Sequence, residues 1–190
     1  MAAQQEEPGC SRSCCCGAVT TVIVVVTVIV LLSVYVFPSK PAAYSVAVAG
    51  VAGLDPAADL SGRAALSPVL NVTVRIDNAR DRLGGACIGP LSTVAVSYGD
   101  AVLGRGSVPA FCAGVRRVRE RGARAWGQDV AVPRFLREQL AGELAVGEAA
   151  VDVRVTTPGE CFHCGDQVLI CSKAKIGGGP APCRWETVYA

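Results

Sequence analysis

Apolar and polar positions follow two different patterns along the chain. Residues 18–37 form an unbroken run of twenty uncharged side chains, mostly Val, Ile and Leu. Further along, in stretches such as NVTVRI, single apolar residues alternate with polar or small ones. The first pattern is typical of a membrane-spanning helix, and the second is typical of a half-buried β-strand.

The run at residues 18–37 is predicted to be an uncleaved transmembrane helix. A helix of this length covers about 30 Å, the thickness of the hydrocarbon core of a bilayer. Val and Ile favour strands in water, but a lone strand in lipid would leave its backbone groups unpaired. The alternatives are a soluble buried strand and a cleaved signal peptide. Both fit less well than a transmembrane helix, because strands rarely exceed about 10 residues and the apolar core of a signal peptide rarely exceeds about 15. Pro38 and Pro41 are expected to end the helix.

This anchor divides the chain into a cytosolic tail at residues 1–17, the span at 18–37 and an extracytoplasmic domain at 38–190. The Lys and Arg count on the two sides hardly discriminates between orientations. Cysteines at the cytosolic membrane boundary are candidates for S-acylation, with unmodified thiols as the alternative. The candidates are Cys14, Cys15 and Cys16.

The extracytoplasmic domain is predicted to be mainly β. Alternation predicts strands around Tyr44, within residues 70–78, 91–100 and 101–111, and more weakly within 123–133. Gly and Pro separate these segments, which favours an antiparallel β-sandwich. Further strand patterns follow at residues 151–155 and 168–170, and GGGPAP near the end is predicted to be a loop. One helix is predicted to begin at Pro133, a residue type that suits the first helical position.

Six cysteines lie in this domain, and an even number in an oxidising compartment predicts disulfides. Sequence separation favours pairs among the last four but does not fix the connectivity. The six are Cys87, Cys112, Cys161, Cys164, Cys171 and Cys183.

The segment CFHC, with His163 between Cys161 and Cys164, also fits a metal site or a thiol–disulfide exchange site. Zinc would need two further ligands, for which Cys171 and Cys183 are the candidates, and their spacing is not that of a paired C-x-x-C site. Exchange chemistry normally places the motif at the start of a helix, whereas this one lies between predicted strands. We therefore expect structural disulfides or plain thiols, with no metal, and keep a thiol–disulfide or metal-binding role as the alternative function.

Two surface features are candidates for modification or contact. Asn71 begins an N-x-T glycosylation sequon inside a predicted strand. The segment RRVRERGAR could contact acidic lipid heads, wall polysaccharide or a protein through Arg116, Arg117 and Arg119. Its other interpretation is a solvated edge or loop, because charged edge strands resist aggregation.

The remaining composition argues against several classes of function. A net charge of +2 does not suggest a nucleic-acid partner. The chain has one histidine and no G-x-S-x-G, P-loop or G-x-G-x-x-G motif. We expect a non-enzymatic protein without a cofactor.

The order of these features resembles a plant family, the late embryogenesis abundant group 2 family, and within it the harpin-induced, non-race-specific-disease-resistance-like membrane branch. The resemblance covers roughly residues 19–175 and includes PVLNVTVRIDN. One departure is Asp77-Asn78-Ala79, where the family usually carries Asn-Pro-Asn. The most specific part of the resemblance is a tyrosine followed by an apolar-Gly segment and a Pro-x-Phe. These residues are Tyr98, Val102, Leu103, Gly104, Gly106, Pro109 and Phe111.

The resemblance implies an immunoglobulin- or fibronectin-III-like sandwich, a cytosolic N-terminus and a plasma-membrane or endomembrane location. It also implies a role in pathogen or abiotic-stress responses, without enzyme chemistry. The expected partners are the lipid bilayer through residues 18–37 and an unknown protein or cell-wall component. A homo-oligomer of the chain is also left open.

Overall fold

The computed structural model describes residues 12–36, 40–61, 65–82, 84–159 and 165–188. The chain divides into two compact units at residue 39, an N-terminal helical unit and a larger C-terminal domain. Each unit is considered by itself.

The N-terminal unit contains helix α1, Arg12–Val36, so residues 18–36 of the apolar run are helical. Its side chains are described from residue 19 to residue 33, and all of these are exposed. The hydroxyl groups of Thr27 and Ser33 donate hydrogen bonds to the carbonyls of Ile23 and Ile29, at 2.8 and 2.7 Å. These two polar side chains are thus satisfied within the helix itself. Within the described part of the chain, no helix is long and apolar enough to cross a membrane.

The C-terminal domain is mainly β, as predicted. Strand boundaries agree with the sequence pattern best where alternation is regular, in β1, β3, β5 and β10. The strands are β1 Ala43–Ala52, β2 Ala65–Leu66, β3 Val69–Asp77, β4 Ala86–Ile88, β5 Thr93–Tyr98, β6 Ala101–Ser107, β7 Phe111–Ala113, β8 Val118–Trp126, β9 Val130–Ala131, β10 Ala150–Thr157, β11 Asp166–Lys175, β12 Ala181–Pro182 and β13 Arg184–Val188.

Nine of these strands form one antiparallel sheet in the order β12-β1-β3-β8-β6-β5-β10-β11-β13. Two short ladders, β2–β9 and β4–β7, lie outside it. The architecture differs from the predicted two-sheet sandwich, because the single sheet is nearly closed into a barrel. The physical reason is that β12 and β13 are consecutive in the chain yet pair with opposite edges of the sheet, β1 and β11.

The core is the interior of this nearly closed sheet. In β3, β5 and β10 alternate residues point inwards and are buried, which follows from the two-residue period of a strand, whereas Ala125 alone is buried in β8. Most of these residues are Val, whose branched side chain suits a pleated surface. Fully buried examples are Val46, Val48, Val74, Val94, Val96 and Val155.

The seam between the two sheet edges is held by several contacts. The Cys183 N–H donates to the Tyr44 carbonyl at 2.9 Å, and the Gly177 N–H donates to Val48 at 2.8 Å. The rings of Tyr44 and Trp185 meet edge to face with centroids 5.0 Å apart. A disulfide joins Cys171 of β11 to Cys183. Hydrogen bonds, aromatic packing and a covalent bond thus act at the same place.

Two helical segments pack together beside the sheet. A π-helical turn, Pro56–Leu60, is capped by Asp55, whose carboxylate accepts the N–H groups of Ala57 and Ala58. Helix α2, Arg134–Ala145, begins one residue after the predicted start, with Pro133 as its N-cap. It buries Leu140 completely.

Candidate functional site

A groove of about 730 Å³ lies on the outer face of the sheet, over strands β5, β6, β10, β11 and β13. We call it the outer groove and define it by residues that point away from the core on these strands. Because it lies on a sheet surface, it is open to solvent along its length. The defining residues are Ala95, Arg105, Asp152, Arg154, Ile170 and Arg184.

Three arginines occupy one cross-strand row of the outer groove. Arg105 is opposite Ala95, and Ala95 is opposite Arg154. On the other side Arg154 is opposite Ile170, and Ile170 is opposite Arg184. The arginines therefore stand on alternate strands, about 10 Å apart along the row. The smaller or apolar residues between them leave space around each guanidinium group.

The three arginines of this row differ in how far their charge is already paired with an acid. Arg184 lies 3.1 Å from the carboxylate of Glu186, so part of its charge is already paired. Arg105 and Arg154 are exposed, and neither forms an ion pair with any residue that the structure describes. The free positive charge is thus concentrated at these two arginines.

Hydroxyl groups and two acids complete the lining. Asp100 and Asp152 lie in the same groove but not in the arginine row. One carboxylate oxygen of Asp152 accepts the backbone N–H of Lys173 at 2.9 Å, which supports the irregular pairing of β10 and β11. Hydroxyl side chains stand on both sides of the row, at Thr93, Ser97, Thr156 and Ser172.

A second hollow of about 530 Å³ adjoins the row at Trp126, and we call it the Trp126 hollow; Ser67, Val69, Arg124 and Gln128 also line it. Trp126 is directly opposite Arg105, so it extends the arginine row by one strand. The indole is 55% exposed, which is unusual for so large an apolar side chain.

Glycines bring Trp126 and Arg105 together. A Cβ atom on Gly106 would collide with the backbone carbonyl of Arg124, and one on Gly104 would lie 3.0 Å from the Trp126 backbone. Both glycines belong to the segment that carries the family resemblance. Their physical role here is close approach of β6 to β8.

The predicted basic patch spans the start of β8 and the turn before it, and its role as a contact surface stays a prediction. Arg116 and Arg117 lie in the turn before β8, where the Arg116 N–H donates to Asp81 and the Arg117 carbonyl accepts from Asn78. Arg119 lies on β8 itself, opposite the buried Ile76. The segment thus begins in a turn and continues into an exposed strand.

Strand β8 is an edge over most of its length. It pairs with β3 from end to end, while among the described strands its other side pairs with β6 only at Trp126. Residues 118–122 are exposed. Arg119 and Arg121 are opposite Ile76 and Val74, so both arginines point to the core side of the sheet, where its edge opens.

The predicted cysteine and sequon sites fall in different places. Two disulfides are present, Cys87–Cys112 between β4 and β7, and Cys171–Cys183 at the seam. The first lies outside the last four cysteines that sequence separation favoured. Asn71 is exposed on β3, and its glycosylation stays a prediction. Six residues singled out in the sequence lie outside the described residues or side chains. They are Cys161, His163 and Cys164, with the exchange or metal role assigned to that segment, and the S-acylation cluster Cys14, Cys15 and Cys16.

One buried tyrosine has an altered acidity. Burial raises the pKa of Tyr98, and the nearby Glu143 carboxylate of α2 raises it further, to about 12. Its hydroxyl forms no hydrogen bond of normal geometry with any described residue. Tyr98 points inwards, away from the outer groove, so this shift concerns stability and not the groove.

Sequence reasoning missed the outer groove. Arg105, Arg154 and Arg184 are far apart in the sequence, and only strand register aligns them. The available signal was that each lies at a polar position within an alternating segment.

Among the described residues, no cluster of three or more His, Cys, Asp or Glu side chains could hold a metal ion. Comparison of the chain with family models, curated proteins and solved structures finds no match.

Proposed function

We propose that this chain is a non-enzymatic, single-pass membrane protein whose β domain acts as an interaction or adhesion module. The resemblance to the late embryogenesis abundant group 2 family supports a role in plant defence or abiotic-stress responses. The proposed location is the plasma membrane or an endomembrane, with the N-terminus in the cytosol.

The observation that carries the proposal is the open outer groove with its unpaired arginines. Arg105 and Arg154 are exposed cations on a surface formed by a rigid sheet, and the described residues do not neutralise them. Such a surface suits recognition of an extended anionic partner. Enzyme sites more often bury a substrate in an enclosed apolar pocket.

The proposed anchor rests on the apolar sequence at residues 18–37. Residues 19–33 cover about 22 Å as a helix, and their large apolar side chains are all exposed. The full uncharged run at residues 18–37 reaches about 30 Å. Exposing this much apolar surface to water is unfavourable, and a bilayer removes it.

The two disulfides support an extracytoplasmic location for the β domain. Disulfides persist in oxidising compartments and are rare in the cytosol. Cys87–Cys112 joins β4 to β7, and Cys171–Cys183 joins β11 to the residue between β12 and β13. This agrees with an anchor that holds residues 38–190 outside the cytosol.

A protease-protection assay with tags at both ends tests the topology. In sealed microsomes, protease added outside should remove the N-terminal tag and leave the C-terminal tag intact until detergent is added. Alkaline carbonate should leave the protein in the pellet. Recovery in the carbonate supernatant, or digestion of the C-terminal tag in sealed vesicles, would contradict the proposal.

A further inference from the structure

We propose that the outer groove and the Trp126 hollow together bind an extended acidic oligosaccharide. Its carboxylates would pair with Arg105 and Arg154, and one sugar ring would lie against the indole of Trp126. This inference rests on the proposed function, because it names the ligand class that the interaction domain holds.

The charge and spacing of Arg105 and Arg154 suit a ligand with regularly spaced carboxylates. Arg105 and Arg154 stand about 10 Å apart on alternate strands, a distance that one disaccharide unit bridges. A planar guanidinium group binds a carboxylate through two parallel hydrogen bonds. A chain with one carboxylate per sugar can therefore place repeating charges at both positions. Arg184 extends the row by two strands, but Glu186 shares its charge.

The uncharged part of the lining favours a sugar over other anions. The exposed indole of Trp126, in register with Arg105, offers an apolar face to the C–H groups of a pyranose ring. Thr93, Ser97 and Ser172 provide hydroxyl groups that can both donate to and accept from sugar hydroxyls.

An acidic peptide fits this surface less well. Peptides commonly bind sheets by adding a strand to an open edge. The central strands below the groove, β5, β10 and β11, pair with a neighbour on each side. Their backbone groups are thus used within the ladder, and recognition must come from side chains alone.

The acids of the groove indicate the path of the ligand. Asp152 is opposite Ser97, one row away from the pair Ala95–Arg154, and Asp100 lies in the turn beyond β5. Both would repel a carboxylate. The oligosaccharide is therefore placed along the row from Trp126 to Arg154, with its hydroxyl side towards Asp152.

The test measures binding of a labelled oligogalacturonide to the full-length protein in detergent micelles, by fluorescence anisotropy at low salt. The protein is made in a host that adds no N-glycan, since Asn71 lies near the Trp126 hollow. We expect binding that weakens with salt and is absent for the fully methyl-esterified probe. The double variant Arg105→Gln/Arg154→Gln should weaken binding at least tenfold. Trp126→Ala should weaken it several-fold, with a thermal midpoint measured to confirm folding.

The matched control is Arg80→Gln/Arg116→Gln, which removes the same charge from two exposed positions at the other end of the β3–β8 ladder from Trp126 and should change affinity less than twofold. Equal losses in the two double variants would overturn the proposal, as would equal binding of the esterified probe or no binding by the wild type. Tighter binding of polyglutamate or of anionic vesicles would also overturn it. Carbonate extraction of the same preparations reports the membrane anchor separately, so failure of the ligand proposal is distinguishable from failure of the proposed function.

Discussion

Cys183 is bonded to Cys171 at the seam where the two edges of the nine-stranded sheet meet. Cys183 lies between β12, which pairs with β1, and β13, which pairs with β11. The chain therefore crosses from one edge to the other at this residue. The disulfide fixes the crossing point to β11 and holds both edges in register.

Replacing both seam cysteines by serine should lower the free energy of unfolding by about 3 kcal/mol, because the unfolded chain regains the entropy of an open loop. The sequence separation is 12 residues for this disulfide and 25 for Cys87–Cys112. Urea unfolding of Cys171→Ser/Cys183→Ser and Cys87→Ser/Cys112→Ser variants measures the two costs.

Amide hydrogen exchange distinguishes the structural roles of the two disulfides. The seam variant should lose protection at the amides of β12 and β13, while the Cys87–Cys112 variant should keep it. Unchanged exchange at β12 and β13 in the seam variant would contradict a role for this disulfide in closing the sheet.

Gly106→Ala should destabilise the domain by at least about 2 kcal/mol, because the new methyl group collides with the Arg124 carbonyl and forces β6 away from β8. Gly122→Ala in β8 is the matched control. Its Cβ would have no atom within 4 Å, so this change should be neutral or slightly stabilising. Equal stability of the two variants in urea would refute the close approach of β6 and β8.

Asn78→Ala should cost about 1–3 kcal/mol, because the buried Asn78 amide donates to the carbonyls of Gly84 and Gly114 at 2.8 and 3.1 Å. The substitution leaves these two carbonyls without that donor. Asn71→Ala, at an exposed position of β3, serves as the control and should stay within about 0.5 kcal/mol. Chemical unfolding of unglycosylated protein gives both values.

The stability of the domain should fall at alkaline pH through Tyr98. Its folded pKa of about 12 lies above the ordinary tyrosine value of 10.0, so the folded state holds the proton more tightly than the unfolded state. The tighter binding of this proton stabilises the folded state by about 2 kcal/mol. This stabilisation is fully present below pH 10 and is lost as the pH rises towards 12. Tyr98→Phe should remove this part of the pH dependence in urea titrations between pH 9 and pH 12. An identical alkaline slope in the variant would exclude Tyr98 as its source.

The elements that the sequence predicted well are those with strong local patterning. Regular alternation located β3 and β5, and an apolar run located α1. Closure of the sheet was not predictable, because it depends on Ala181 and Arg184 pairing with opposite edges a few residues apart. A two-residue strand such as β12 carries no periodic signal.

The same limit applies to the candidate site. Arg105, Arg154 and Trp126 become neighbours only through strand register, and the irregular pairings in β5–β6 and β10–β11 alter that register. The sequence pointed instead to RRVRERGAR, where five arginines lie within nine residues. Those arginines lie on β8 and in the turn before it and do not line the outer groove, so their density in the sequence did not indicate the groove.

The arginines of β8 should protect the open edge of this strand from self-association. Arg119 and Arg121 point to the core side of the sheet beside an unpaired edge, and inward charges of this kind oppose edge-to-edge pairing. Arg119→Thr/Arg121→Thr should therefore dimerise or aggregate at concentrations where the wild type does not, as measured by sedimentation velocity in micelles. Arg105→Thr/Arg154→Thr removes the same charge from strands that are paired on both sides and should leave the sedimentation coefficient unchanged. Identical sedimentation of all three proteins would mean that the β8 edge is protected by its backbone geometry, without help from these side chains.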